Sequence, residues 1–435
     1  MTQYSSTNSW NANNNGNVNN NNRRNTNRVC AVSDYQGYKL FVENIFVAYY
    51  ICRRNKRTSV SEVNYEIDGI RRTLELAEEV WHFRYVVSPS ICFIIYEPTK
   101  REVFAANFRD RILDTWIAVR LESIFEKHLP CSITANRKGK GTSYAINKVY
   151  NDIIKCTDNY TKDAWIYKFD LRGFFMSIDK RLLWPELKKV LDEEYNEWDK
   201  VWFMYVIEKR IFNRPQENCI RVCPISEWDD FPSNKSLFGQ DKWHGLPIGD
   251  LLSQMLVGFF LLVFIVFLNL LGFEFVTNYV DDFAIISPSK ELILESIPKI
   301  REFLAKLGLT LHPHKSYIQH YTKGLQFLGA IIKPHRIYAG HRLKRKALKL
   351  RLPKSPNKAL SSVNSYLGLM KHYNSRKIRM TLADMCFKKY KDKVYFCGGY
   401  EKMVVAKVSK NPKKLRSKYD KQLHHGLKVY YLNEI

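Results

Sequence analysis

Between Met255 and Phe273 the chain reads MLVGFFLLVFIVFLNLLGF, with Asn269 as its one polar side chain. A helix this apolar has no stable place on a wetted surface. It crosses a bilayer, for which about 18 apolar residues suffice, or it lies inside the core of a sizeable domain. The rest of the chain leaves room for either. Its 435 residues are 45% hydrophobic and 14% aromatic, enough for a large core and for more than one domain. The N-terminus has no basic start followed by an apolar stretch, so no secretory signal is expected. A net charge of +26 suggests a polyanionic partner, either nucleic acid or an anionic membrane face.

The flanking segments narrow the choice. Residues 40 to 90 have helical periodicity, in FVENIFVAYYICRRNKR and in DGIRRTLELAEEVWHFRY. SICFIIYEP is a short apolar strand closed by Glu97 and Pro98. REVFAANFRDRILDTWIAVRLESIFEKHL then reads as a long amphipathic helical region carrying Arg101, Arg109 and Arg111. NRKGKGTSYAI is a loop of glycines and bases leading into a helix. AWIYKFDLRGFFMSID is a strand that runs out through Asp170 into a turn, and FEFVTNYVDDFAIIS is a pair of β-rich runs hinged on Asp281 and Asp282. LQFLGAIIKPHRIYAG looks like a later hairpin, and from Arg342 the chain is helical and very basic. The nine cysteines are scattered, with Cys219 and Cys223 the only tight pair. Free thiols in a reducing cytoplasm are the expectation, ahead of a zinc site.

Adjacent acids such as Asp281 and Asp282 usually mark a solvated turn. Here both flanks, FEFV and FAII, are apolar strands, so the pair caps a buried hairpin. Two carboxylates crowded there repel, and a hard divalent cation such as Mg²⁺ relieves the repulsion. Asp170, at the end of another strand, supplies a third carboxylate. Three such groups on adjacent strands can hold two metal ions about 4 Å apart, the arrangement of in-line phosphoryl transfer. Asp179 is the rival acid, but its place at the start of a helix suits capping better.

YVDD after an apolar strand, with KFDLRGFFMSID upstream, resembles the two metal-binding motifs of reverse transcriptases. Further motifs follow in the family's order over about residues 100 to 330. NRKGKGT resembles the fingers loop that grips the incoming triphosphate, which implies contacts from Arg137 and Lys138, with Lys140 as a competitor. GLPIGDLLSQ resembles the motif lining the nucleotide pocket, implying roles for Ile248, Gly249, Ser253 and Gln254. In LHPHKS, Lys315 matches the lysine that protonates pyrophosphate, and Phe327, Leu328 and Gly329 resemble the primer grip. Phe175 matches the family's steric gate against a ribose 2′-hydroxyl, with Phe174 beside it as the alternative and core as the plainer role for both.

The pocket motif is more particular. Most reverse transcriptases carry a glutamine before the glycine and a proline after the serine, whereas this chain has Ile248 and Gln254. That pattern resembles the enzymes of diversity-generating retroelements, as do REVFAANFRDRIL, KSLF and SSVNSYLGLMKHYN, over roughly residues 37 to 380. The resemblance implies an α+β right-hand polymerase, with fingers at 37–160, a palm with an antiparallel sheet at 161–335, and a basic helical thumb at 336–435. A fingers-side insertion is expected at about 185–240. It also implies two Mg²⁺ ions (Mn²⁺ as a substitute), template RNA, primer, cDNA and dNTPs as substrates, a small accessory variability protein, and a bacterial or phage enzyme in the cytoplasm. Lys344, Arg345, Lys346, Lys349 and Arg351 are expected on the nucleic-acid backbone.

Within this frame the apolar run occupies the place of a palm helix. A bilayer span there would hold the halves of one catalytic site about 30 Å from each other. A buried helix is therefore expected and no membrane, although the family's helix carries more polar residues; its outer face meets a partner or has drifted. Residues 1–36, rich in asparagine, have too little apolar surface to fold and read as a disordered tail. Asparagine codons begin with two adenines, the base such elements mutate, so about residues 1–33 read as template DNA translated into the enzyme's frame. The competing readings are a retron-like or defence-associated reverse transcriptase, and a catalytically silent nucleic-acid-binding relic.

Overall fold

The computed structural model describes residues 20–54, 60–96 and 99–406, with side chains from residue 35 on. Helix α1 (Asn20–Arg53) is followed by α2 (Val60–Glu66) and α3 (Gly69–Trp81). In α1, Phe41, Ile45, Ala48 and Tyr49 recur at helical spacing and are all buried. The helix extends back to Asn20, into the stretch expected to be a disordered tail. Propagation from a packed turn costs less than nucleation, which lets a helix run on through weak formers such as asparagine. Residues 1–19, the rest of that tail, lie outside the described residues.

Next come β1 (Ser90–Ile95) and β2 (Arg101–Ala105), antiparallel in register from Ile91↔Ala105 to Ile95↔Arg101. This corrects the expectation that a helix begins at Arg101. Val103 and Phe104 favour a pleated strand, and their alternation buries Glu102 and Phe104 on one face. The helix, α4 (Phe108–His128), starts only where Asn107 caps it by accepting from the Arg109 amide. Helix α5 (Thr142–Cys156) and strand β3 (Trp165–Asp170) follow. After these come α6 (Phe174–Ser177), α7 (Lys180–Glu194), α8 (Lys200–Ile211) and β4 (Cys219–Arg221). As expected, Asp179 caps α7, accepting from the Arg181 amide at 2.8 Å.

The apolar run forms two helices, α9 (Leu251–Phe260) and α10 (Leu262–Leu270), meeting at Leu261. By length and composition Leu251–Leu270 could cross a membrane, yet 56% of that window is buried inside the fold. Phe264 packs on Phe283 and Phe303 with ring centroids 5.3 and 6.0 Å apart. Val263, Val266 and Leu270 on the opposite face are exposed. The hairpin β5 (Phe275–Tyr279) and β6 (Asp282–Ser287) follows, then α11 (Lys290–Lys306) and β7 (Tyr317–His320). Strands β5, β6, β3 and β7 make one four-stranded sheet in that order.

The chain divides into two compact units. The first holds residues up to 141, 168–284 and 291–316. The second holds 142–167, 285–290 and 317 onward, so β3 and β6 contribute residues to both. The expected late hairpin is in the second unit and is a three-stranded meander, β8 (Leu325–Phe327), β9 (Ala330–Lys333) and β10 (Arg336–Ala339). Helices α12 (His341–Leu348), α13 (Pro356–Met370) and α14 (Arg376–Tyr390) share an apolar core around Val363, Leu367 and Leu382. The hairpin β11 (Val394–Cys397) and β12 (Lys402–Val405), which the sequence did not lead us to expect, packs into the same core through Val394 and Met403.

Candidate active site

Strand β3 alternates, so Lys168 and Asp170 share one face while Phe169 points to the other. Strand β6 repeats the pattern. Phe283 stacks on Phe169 at 4.8 Å between centroids, and Asp282 accepts an ion pair from Lys168 at 2.8 Å. The aromatic face is glued to α10 and the charged face forms the site. Between β5 and β6 the chain turns at Val280, whose φ of 60° is a strained conformation for a β-branched residue. The Asn278 side chain holds that turn by donating to the Val280 carbonyl at 2.8 Å. The Leu171 amide donates to the Asp281 carbonyl at 3.1 Å, drawing the turn to the end of β3.

The structure thus brings together Asp170, Asp281 and Asp282, and it adds Lys315. The His312 amide donates to the Asp170 carbonyl at 2.7 Å and the Arg172 amide to Thr310 at 2.9 Å. So docked, that loop delivers the Lys315 ammonium to the Asp170 carboxylate at 2.8 Å. Burial works against the charged lysine, but its hydrogen bond to Asp170 and the charges of all three aspartates outweigh it and raise its pKa. Burial, then the charges of Asp170 and Asp282, pushes the Asp281 carboxyl up to about 6. Arg101, at the start of β2, pulls the other way.

Among the described residues no three His, Cys, Asp or Glu side chains stand as a ready-made metal cluster. Two of the three carboxylates are instead held by lysines, Lys168 and Lys315. The donor set still fits a hard divalent cation. Every donor is a carboxylate oxygen, the ligand type hard divalent cations take, and the charges of Asp170 and Asp282 add to burial in raising the proton affinity of Asp281. The cysteines are no rival site: no disulfide and no metal cluster occur among the described residues, and eight cysteines there are free thiols.

The nucleotide-pocket residues gather around β2. Ile248 and Phe175, both half-buried, pack on one apolar cluster with Phe104, Met176 and Leu237. Phe174, by contrast, is buried, so of the two phenylalanines it is the core residue. The Phe104 amide donates to the Ile248 carbonyl at 2.9 Å. Gly249 has a φ of +102°, and a Cβ there would meet Val103 at 2.7 Å, so no other residue fits this approach. Asp250 anchors the loop. It lies 3.2 Å from Arg210, which also makes a bidentate pair with Asp114 at 2.7 and 2.8 Å, all three groups buried. Ser253 is buried on α9, and the Gln254 carbonyl accepts from Asn136 at 2.8 Å.

Arg137 is placed differently from the expectation. Its guanidinium has five N–H donors. They meet both Glu126 oxygens at 2.6 and 2.8 Å and the carbonyls of Leu129, Pro130 and Ile133 at 2.6 to 2.9 Å. No donor is left for a phosphate, so Arg137 pins the base of its loop. Lys140 pairs with the same Glu126 at 3.0 Å, and these two cations hold that carboxyl down at about 2. Lys138 is exposed on the same loop.

In the second unit, Phe327 is buried while Leu328 and Gly329 form the β8–β9 turn, both with positive φ. The Gly340 amide, at the cap of α12, donates to the Gly329 carbonyl at 2.8 Å. Helix α12 turns Leu343 and Ala347 into the local core. Lys344, Arg345, Lys349 and Arg351 are exposed, and Lys346 is half-buried. Two site residues are not evident from sequence motifs. Lys168 is signalled only by its place two residues before Asp170 on an alternating strand; Arg101 is hidden by the assignment of its segment to a helix.

No curated protein matches the sequence. Among solved structures, telomerase from Candida albicans in complex with a fragment of telomeric RNA is 11% identical over 69% of this chain, with a TM-score of 0.43. Apo telomerase from Candida tropicalis is 14% identical over 70% of the chain, with a TM-score of 0.45. The matches span 55% and 57% of those telomerase chains. The profile of the reverse transcriptase (RNA-dependent DNA polymerase) family matches residues 98–332, from β2 through the three carboxylates and Lys315 to β9. That is more than half of the sequence, and the chain therefore belongs to the reverse transcriptase family of RNA-directed DNA polymerases, nucleotidyltransferases that work with divalent metal ions.

Proposed function

We propose that this reverse transcriptase copies a template-repeat RNA into cDNA, errs mainly opposite adenines, and supplies the altered strand to a variable gene. The observation that carries the reading is Ile248. It stands where most of the family has glutamine, and its side chain is packed among apolar neighbours in the cluster that also seats Phe175. A glutamine there would donate and accept hydrogen bonds beside the nascent base pair, whereas isoleucine only fills space. Losing an orienting bond worth about 1 kcal/mol weakens discrimination several-fold.

Asp170, Asp281 and Asp282 would hold two Mg²⁺ ions, which when bound activate the primer 3′-hydroxyl and neutralise the leaving pyrophosphate. The chain's own residues supply the rest. Lys315, resting on Asp170, is placed to hand a proton to pyrophosphate. Lys138 and Arg101 provide positive charge for the triphosphate, and Phe175 fills the space of a 2′-hydroxyl. Leu328 and Gly329 sit at a turn suited to gripping the primer, with the basic face of α12 on the nucleic-acid backbone. A small accessory protein and a cytoplasmic setting in a bacterium or phage belong to the same reading. So does an origin of residues 1–33 in a translated template repeat; a near-copy in the flanking DNA differing mainly at adenines supports that origin, and its absence removes it.

The test is sequencing of cDNA made in vitro on an RNA template. Wild type should concentrate its errors opposite adenines, and Ile248→Gln should lower the error opposite adenines several-fold. Uniform errors in the wild type, or no response to Ile248→Gln, would count against the proposal.

A further inference from the structure

The segment from Asn213 to His244, between α8 and the pocket motif, contains no candidate site residue, yet it touches β1, β2, the turn at Gly173 and the cluster that seats Phe175 and Ile248. Lys180 clasps its two ends, donating from its amide to the Trp243 carbonyl at 2.9 Å and from its ammonium to the Asn213 carbonyl at 3.2 Å. Near its start, β4 pairs in parallel with β1, with Ser90 opposite Cys219. Near its end, the Asn234 carbonyl lies so close to Gly173 that a Cβ there would meet it at 2.6 Å. Gly173 starts the turn that carries Phe175. Leu237 and Phe238 pack into the same cluster as Ile248 and Phe175.

Beside the pairing of β4 with β1, a buried carboxylate ties the segment to β2. Glu102 on β2 is 1% exposed. One oxygen accepts from the Trp228 indole N–H and the Ser236 hydroxyl, both at 2.7 Å, and the other accepts from the Leu237 amide at 2.7 Å. All three donors are uncharged. A buried carboxylate is costly to leave without partners, so its three directional hydrogen bonds hold the segment and β2 in one arrangement. Its neighbours on β2 show what is fixed: Arg101 acts on Asp281, Val103 lies under Gly249, and Phe104 binds the Ile248 carbonyl.

We propose that residues 213–244 are a brace for the nucleotide pocket and that Glu102 is the positioning residue through which the brace sets the gap between Phe175 and Ile248. Nucleotide selection, and above all rejection of ribonucleotides, then depends on the three bonds to Glu102. Grip on template and primer does not.

Trp228→Phe removes the indole N–H and keeps a smaller aromatic ring, and Ser236→Ala removes the hydroxyl alone. Steady-state primer extension with dNTPs and rNTPs reads the effect. Each variant should raise KM for dNTP and lower the preference for dNTP over rNTP by about three- to ten-fold, a part of the full effect of one lost bond to a charged acceptor because the other two bonds still hold Glu102. At saturation kcat should stay within about two-fold, and the Kd for template–primer should not move. Glu102→Gln should show the larger effect; if it does not fold, the two donor variants decide alone. A lowered melting temperature with KM and sugar preference unchanged would reduce the three bonds to ordinary structural contacts and overturn the proposal.

Discussion

Asp281 sits where three carboxylates converge, and burial followed by the charges of Asp170 and Asp282 pushes its pKa up to about 6. In the unfolded chain the group ionises near 3.8. Between those two values the folded protein keeps a proton that the unfolded chain has released, so stability falls as pH rises from about 4 to 6. Above pH 6 the full cost is present. Asp281→Asn removes it, and without divalent cations at pH 7 the variant should be more stable by about 1–3 kcal/mol, converging with wild type below about pH 4. Chemical denaturation at both pH values measures this. A variant no more stable at pH 7 would mean that the three carboxylates do not crowd as described. The same substitution removes a candidate metal ligand, so the gain in stability should accompany a loss of activity.

At the scale of elements, the fingers loop divides its cations between structure and chemistry. Arg137 spends all five donors on Glu126 and three carbonyls, while Lys138 beside it is exposed. Arg137→Met should therefore cost about 2–4 kcal/mol of stability, because it strands the carbonyls of Leu129, Pro130 and Ile133. Lys138→Ala should leave stability within about 0.5 kcal/mol and raise KM for dNTP several-fold. Denaturation curves and steady-state kinetics on the pair separate the roles, and a reversed pattern would return Arg137 to the triphosphate. The contrast also shows what sequence can reveal. Asp170, Asp281 and Asp282 are legible because Asp170 ends an apolar strand, Asp282 starts one and Asp281 lies in the turn before it, where alternation and turn chemistry act over a few residues. The partners of Arg137 are not, since backbone carbonyls carry no signature. The brace is invisible for a different reason: Trp228, Ser236 and Leu237 reach Glu102 from 126 to 135 positions away. Arg101 is misplaced because REVFA lies just before a true helix, and the helical reading begins seven residues too early, across a strand.

Across the whole molecule, a net charge of +26 and three carboxylates within the matched reverse transcriptase profile support the proposed activity, DNA synthesis on an RNA template. The apolar run that first restricted the fold supports it from behind, since Phe264 on α10 packs against Phe283, the residue after Asp282. The most direct measurement is primer extension on an RNA template with Mg²⁺ and dNTPs, wild type against Asp281→Ala at equal folded concentration. The wild type should extend the primer, and the variant should lose at least about 10³-fold in rate, the scale expected when a catalytic metal ligand is removed. Equal extension by both proteins would contradict the assignment of the site.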